Sequence, residues 1–255
     1  FFSTIQGARA RLTVISGGPG TGKTTTVAAL LERILQENPQ ARIALAAPTG
    51  KAAARMLDSL RAAILPLNVR ERLPAESHTI HRLLGVTPGH GRWLHHAGNP
   101  LALDVLVVDE ASMLDLALAA RLVEAVPEDA RLILLGDKDQ LAAVEVGSVF
   151  AELSADPALS PQCVQELAQL TGTPAARIVP AAAKEHSPLA DSVVWFTESH
   201  RFAPDSGIGR LAADINAGEA ERALATVPAR EFPLDEPGRA TFRSRPAPSY
   251  ENVRV

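Results

Sequence analysis

The stretch LTVISGGPGTGKTTT, residues 12–26, decides the fold. Its first five residues predict a buried strand, and residues 17–24 satisfy the pattern G-x-x-x-x-G-K-[ST]. Apolar side chains then recur at the spacing of one helix face, at Val27, Leu30, Leu31, Ile34 and Leu35. A strand, a glycine-rich turn and a helix in this order predict a loop whose backbone N–H groups and helix N-terminus hold phosphate.

Alternating strands and helices continue beyond this stretch. Apolar runs at residues 42–47, 105–108, 131–135 and 193–196 predict further strands, and a helical pattern follows at 53–64, 118–126 and 208–215. The run at 105–108 is continuously apolar, as in a sheet covered on both faces. We therefore predict an α/β fold with a doubly wound parallel sheet.

Composition excludes several classes of protein. A hydrophobic fraction of 46% in 255 residues supplies a packed core, and the single cysteine rules out a disulfide framework and predicts a reducing, cytoplasmic setting. No apolar run has the length of a bilayer span, so we expect no membrane association. Residues 51–100 carry seven Lys or Arg against three Asp or Glu, whereas residues 101–160 carry three against twelve. This suits a polyanion in one place and a cation in another, although two solvated faces would give the same counts.

The glycine-rich turn predicts the triphosphate site. Lys23 is expected to reach the β- and γ-phosphates of ATP, and the Thr24 hydroxyl to bind Mg²⁺. The predicted ATP-binding residues are Gly17, Gly18, Pro19, Gly20, Thr21, Gly22, Lys23, Thr24 and Thr25.

Two carboxylates follow the apolar strand at 105–108. Asp109 and Glu110 are expected at the carboxyl edge of the sheet, beside the glycine-rich turn. Asp109 is predicted to hold Mg²⁺ and Glu110 to act as the catalytic base for the attacking water. An exposed surface pair is the alternative.

Three further segments resemble motifs of superfamily 1 helicases. Residues 136–140, GDKDQ, resemble the motif whose glutamine, here Gln140, contacts the γ-phosphate, although a polar turn is the alternative. Residues 199–202, SHRF, resemble a motif whose arginine, here Arg201, serves as an arginine finger from a second domain, against the alternative of a surface arginine. Two stretches, APTGK and HTIH, resemble DNA-binding motifs, with predicted contacts at Pro48, Thr49, Gly50, Lys51, Thr79 and His81.

Together these strings resemble one family, the alpha subunit of exodeoxyribonuclease V, which is the RecD subunit of the bacterial RecBCD helicase–nuclease. Further support comes from HHAGNP at 95–100, LDVLVVDEASM at 103–113 and SGIG at 206–209. The resemblance covers residues 12–218. It implies a superfamily 1B motor with a RecA-like fold that moves 5′ to 3′ on single-stranded or double-stranded DNA, together with a nuclease-helicase subunit and a third subunit.

The resemblance also implies a division of the chain. We expect a RecA-like ATPase domain at 1–152, an insertion or linker at 153–190, the start of a second RecA-like domain at 191–227 and an irregular tail at 228–255. Gln6 lies too near the glycine-rich turn to be a secure match to the family's adenine-binding glutamine. The expected chain is thus a version of the family that is shortened at both ends.

Two other functions remain open from the residues. Another P-loop ATPase, such as an AAA+ loader, would require a helical lid that the sequence does not show. A nucleotide-binding remnant without turnover would keep the phosphate site but lack hydrolysis.

Overall fold

The computed structural model describes residues 10–63, 65–86, 91–140, 149–178, 189–200 and 206–226. Six strands form one sheet in the order β3-β2-β4-β5-β1-β6, and every pairing is parallel. The strands are β1 Leu12–Gly17, β2 Ile43–Ala47, β3 His78–Thr79, β4 Val105–Val108, β5 Arg131–Gly136 and β6 Val193–Phe196. The predicted α/β fold with a parallel sheet is confirmed.

Helices cover both faces of this sheet. They are α1 Lys23–Glu37, α2 Gly50–Ala62, α3 Leu67–Arg70, α4 Ile80–Leu83, α5 Leu116–Ala125, α6 Val149–Leu153 and α7 Pro161–Thr171. One apolar cluster packs α1 and α2 against the sheet, and a second packs α5 and Phe150 against it. In β1, Val14 belongs to the second cluster and Ile15 to the first, because neighbouring strand residues point to opposite faces. The sheet is therefore doubly wound, as predicted.

The strand Val193–Phe196 corrects one part of the predicted domain division. The sequence assigns it to a second RecA-like domain, but it lies in the first sheet, with Ser16 opposite Trp195 and Gly17 opposite Phe196. A four-residue apolar run predicts a strand, but it does not indicate which strand of which sheet will be its partner. The other predicted divisions stay predictions.

The chain separates into two compact units, with the second beginning at Gly207. Within it, α8 Gly207–Asn216 and α9 Ala220–Thr226 are joined by an ion pair of 3.4 Å between Arg222 and Asp214. The predicted helix at 208–215 is confirmed. Gln6, Arg201 and the predicted tail lie outside the described residues. Among the described residues, no helix combines the length and apolar character that crossing a bilayer requires.

Candidate functional site

The phosphate loop, residues 17–24, joins β1 to α1 at the carboxyl edge of the sheet. Gly20 and Gly22 adopt φ angles of 77° and 92°, a left-handed conformation that glycine takes without steric cost. At Gly17 the restriction is one of space, because a Cβ there would lie 2.7 Å from Thr21 Oγ1 and 2.8 Å from Phe196 Cβ. The Thr21 hydroxyl donates to the Gly18 carbonyl at 2.9 Å and closes the turn. The predicted residues Thr24 and Thr25 lie in the first turn of α1, whose free amides point toward this loop.

Lys23 folds back over the phosphate loop. Its ammonium donates to the carbonyls of Gly17 and, at 3.1 Å, Gly18. Burial lowers the pKa of Lys23, while attraction to Asp137, Asp109 and Glu110 opposes that shift. The lysine that the sequence assigns to the phosphates therefore lies within the field of three carboxylates.

Asp109 and Glu110 follow β4, as the sequence predicts. The Asp109 amide donates to the Ala46 carbonyl of β2 at 2.9 Å, and Asp109 Oδ1 accepts the Glu110 amide at 2.8 Å. Glu110 adopts φ 53° and ψ 37°, which is uncommon for a residue with a side chain and turns the chain sharply at the strand end. Burial raises the pKa of the Asp109 carboxyl, although the Glu110 amide and the charges of Lys23 and Arg55 act in the opposite direction.

The sensor loop, residues 136–140, follows β5. Asp137 is buried, and its Oδ1 accepts the Asp139 amide at 3.1 Å. Gln140 Oε1 accepts the Ser112 hydroxyl at 3.5 Å, which places the glutamine beside the turn that follows Asp109 and Glu110. From the sequence, Asp137 has no role of its own beyond its place in the GDKDQ motif. Among the carboxylates near Lys23, it opposes the lowering of the Lys23 pKa most strongly.

Sequence reasoning missed the contribution of β6 to the site. The Ser199 hydroxyl donates to the Pro19 carbonyl at 3.1 Å, and the His200 amide donates to the Gly20 carbonyl at 2.9 Å. A cleft of about 400 Å³ opens between the phosphate loop and this segment. Its lining residues are Thr21, Gly22, Thr25, Thr26, Trp195, Phe196, Thr197, Glu198 and His200. The cleft has the size of a small-ligand pocket and lies beside the predicted phosphate-binding groups, so it suits the nucleoside part of a nucleotide.

The predicted DNA contacts lie at the carboxyl ends of β2 and β3, at the end of the sheet farthest from β6. Thr49 Oγ1 accepts the Ala52 amide and Thr79 Oγ1 accepts the Arg82 amide, each at 3.2 Å, so each threonine caps a helix. The two caps are neighbours, because β2 and β3 pair with Ala47 opposite Thr79. The structure therefore brings together residues 30 positions apart in sequence.

The remaining predicted DNA contacts occupy the same neighbourhood. Pro48, Gly50 and Lys51 surround the first cap, with Lys51 exposed at the start of α2. The His81 ring stacks on Trp93 with centroids 5.8 Å apart. The arginine finger predicted at Arg201 lies outside the described residues.

The sequence of the chain is similar to those of several known proteins. A family model described as an AAA domain, AAA_19, matches residues 3–146. The RecBCD enzyme subunit RecD of Haemophilus influenzae is 43% identical over 221 residues, covering 83% of this chain and 34% of that protein. RecD of Mycolicibacterium smegmatis is 44% identical over 227 residues, covering 86% and 35%. The ATP-dependent RecD2 DNA helicase of Deinococcus radiodurans is 42% identical over 137 residues, covering 54% and 17%.

These similarities confirm the resemblance to RecD that the motifs indicate. The chain spans about a third of the length of the two RecD subunits.

Proposed function

Because the chain belongs to the AAA_19 family of AAA domains, we propose that it is an ATP-dependent DNA helicase subunit that hydrolyses ATP to move 5′ to 3′ along single-stranded DNA. One observation supports this most directly. Lys23, Asp109, Glu110 and Asp137 converge at the carboxyl edge of neighbouring parallel strands, where ligands bind in open α/β sheets.

ATP would bind along the phosphate loop, with the nucleoside in the adjoining cleft. The loop amides and the N-terminus of α1 attract phosphate. Lys23 would exchange its contacts with the Gly17 and Gly18 carbonyls for phosphate oxygens, since an ammonium has three rotatable donors.

The chemistry of Thr24 and Asp109, the proposed ligands, fits Mg²⁺. Magnesium prefers oxygen ligands, and Thr24 offers a hydroxyl and Asp109 a carboxylate. Burial without a fully compensating charge raises the pKa of Asp109, and a divalent cation would stabilise its ionised form. Bound there, the ion would neutralise charge on the phosphates during transfer.

Hydrolysis requires a water aligned with the γ-phosphate. Glu110, held at a sharp turn after β4, would accept a proton from that water. Gln140, whose side chain meets Ser112 just after this turn, would contact the γ-phosphate. The cycle of ATP binding and hydrolysis would then drive the movement of the DNA strand.

Single-stranded DNA would lie across the caps at Thr49 and Thr79. A threonine hydroxyl that accepts a capping N–H still has its own proton, which can be donated to a DNA phosphate. Lys51 adds charge beside the first cap, and ionic contacts of this kind weaken with salt. His81 on its Trp93 support adds an aromatic surface for a base.

The names of the relatives support the proposed partners. Several are named as subunits of the RecBCD enzyme. A nuclease-helicase subunit and a third subunit of such a complex are thus the proposed partners, with recombination and repair of double-strand breaks as the process. The single cysteine agrees with a cytoplasmic setting.

The deciding experiment measures ATP hydrolysis by the chain with and without a single-stranded oligonucleotide, beside Lys23→Ala and Glu110→Gln. We expect DNA to stimulate turnover and each substitution to reduce it by about 10² to 10³, the usual effect of losing one charged or donor group from such a site. Glu110→Gln should keep ATP binding because it leaves the phosphate loop intact. Arg121→Ala, on an exposed surface of α5, serves as the control.

Two results would oppose the proposal. ATP binding without turnover would favour a nucleotide-binding remnant. A rate of ATP turnover that single-stranded DNA does not raise would favour another kind of P-loop ATPase.

A further inference from the structure

Trp195 occupies a fixed position between two parts of the site. Its indole Nε1 donates to the Ser154 carbonyl at 2.7 Å, and Ser154 is fully buried at the end of α6. Its backbone lies in β6 opposite Ser16 of β1. The ring also packs against the apolar cluster that contains Phe150. A buried hydrogen bond and strand pairing together restrict the indole to one orientation.

Lys138 of the sensor loop rests on this ring. Its ammonium lies 4.9 Å from the centre of the indole and 2.7 Å from Asp139 Oδ1. Its amide donates to Ser16 Oγ at 2.9 Å. A cation over an indole face is attracted to the ring, and tryptophan is the aromatic side chain best suited to this contact. The lysine is thus held at its backbone by β1 and at its ammonium by β6.

The strand β6 leads directly to the residues that contact the phosphate loop. Trp195 lines the cleft beside that loop, and Ser199 and His200 contact its carbonyls a few residues later. The sensor loop and the phosphate loop therefore both contact β6 or the residues that directly follow it.

We propose that Trp195 is a positioning residue, which fixes Lys138 and through it the sensor loop, so that Gln140 meets the γ-phosphate in one orientation. This rests on the proposed ATP hydrolysis. Removing the Lys138 ammonium leaves Trp195 and the phosphate loop in place, so it slows the chemical step without removing any group that lines the ATP cleft. The effect belongs to the Lys138–Trp195 pair rather than to either side chain alone.

The test is a double-mutant cycle on ATP hydrolysis with Lys138→Met, Trp195→Leu and both together. We expect Lys138→Met to lower kcat about two- to fivefold, the range for a partly exposed cation–π contact, with KM unchanged. The double variant should be no slower than Trp195→Leu. Trp195→Phe, which keeps an aromatic face but loses the hydrogen bond to Ser154, should retain more of kcat than Trp195→Leu. Arg121→Met on α5 is the matched control, since it replaces an exposed cation in the same way.

Two outcomes would overturn the proposal. One is a wild-type kcat for Lys138→Met. The other is a double variant whose loss equals the product of the two single losses, because independent side chains give multiplied effects.

A second measurement separates this proposal from the proposed function. Trp93 and Trp195 are the two tryptophans of the chain, so Trp93→Phe leaves Trp195 as the sole indole emitter. If the chain binds ATP without hydrolysing it, the function fails, but a non-hydrolysable ATP analogue should still change Trp195 emission more than ADP does. Adding Lys138→Met should remove that difference. Equal responses to the analogue and to ADP in the Trp93→Phe chain would overturn the positioning role.

Discussion

Replacing Gly17 with alanine tests whether β6 packs against the phosphate loop. An added Cβ would lie 2.7 Å from Thr21 Oγ1, 2.8 Å from Phe196 Cβ and 3.0 Å from the Phe196 carbonyl oxygen. Two of these atoms belong to the backbone or to the base of a side chain, so no rotamer change can move them away. The strands β1 and β6 would have to separate locally.

The size of the effect follows from two opposing terms. An extra methyl group in a packed site costs about 1–3 kcal/mol. Reduced freedom of the unfolded chain returns about 0.4–1 kcal/mol when glycine becomes alanine. A net loss of about 1–2 kcal/mol should lower the melting temperature by about 2–8 °C in a unit of this size. Circular dichroism during thermal unfolding measures it.

Gly18→Ala is the matched control in the same loop. Its Cβ would have one near neighbour, Asp137 Oδ2 at the ordinary contact distance of 3.9 Å. We expect the melting temperature of this variant to stay within about 2 °C of the parent, as for substitutions that meet no close contact. Equal melting temperatures for Gly17→Ala and the parent would refute the described contact between β1 and β6.

Four further substitutions probe the site and its support. Asp109→Asn should raise the free energy of unfolding of the nucleotide-free chain at pH 7 in urea titrations, because burial raises the pKa of this carboxyl and penalises its ionised form. That gain should shrink as the pH falls through the raised pKa of the folded carboxyl and vanish below 3.8, where the unfolded carboxyl is protonated as well. Thr49→Ala and Thr79→Ala should each cost about 1 kcal/mol of stability through the lost cap and weaken binding of a labelled oligonucleotide measured by fluorescence anisotropy. Phe150→Ala should cost about 3–5 kcal/mol in urea unfolding, because it empties a fully packed position beneath the sensor loop.

The threonine and Phe150 predictions have control variants, and the Asp109 prediction has an outcome that would contradict it. Serine at either threonine position keeps the capping oxygen and the donor, so it should preserve both stability and DNA binding. Unchanged DNA binding in both alanine variants would contradict the assigned DNA surface. Phe150→Leu should lose less stability than Phe150→Ala, since it leaves a smaller cavity. An Asp109→Asn chain less stable than the parent at pH 7 would contradict the burial penalty.

Local patterns supplied the residues of the proposed site. The glycine pattern at 17–24 and the carboxylates behind an apolar strand require particular residue types next to particular elements, so they can be recognised in a linear sequence. The strands β1, β2, β4 and β5 were predicted within a residue or so for the same reason, as was the helix face of α1. The two-residue strand β3 was missed because it is too short for any periodicity.

Long-range neighbours could not be predicted in this way. Ser112 and Gln140 meet across 28 positions, and Ser199 and Pro19 across 180. Nothing in the residues near Trp195 indicates that its ring would support Lys138. Assigning residues 193–196 to a second domain was wrong for the same reason, since a strand's sequence does not name its partner.

The sequence by itself therefore determined the type of sheet, the phosphate loop and the identity of the acidic groups, because these depend on spacing and residue type along one stretch of chain. The tertiary structure alone decided the strand order, the fields of Asp137, Asp109 and Glu110 on Lys23, and the joining of β6 to the phosphate loop. Those features arise from contacts between segments that the fold brings together. Burial lowers the pKa of Lys23 and raises the pKa of Asp109, so both values depend on the packing around these side chains.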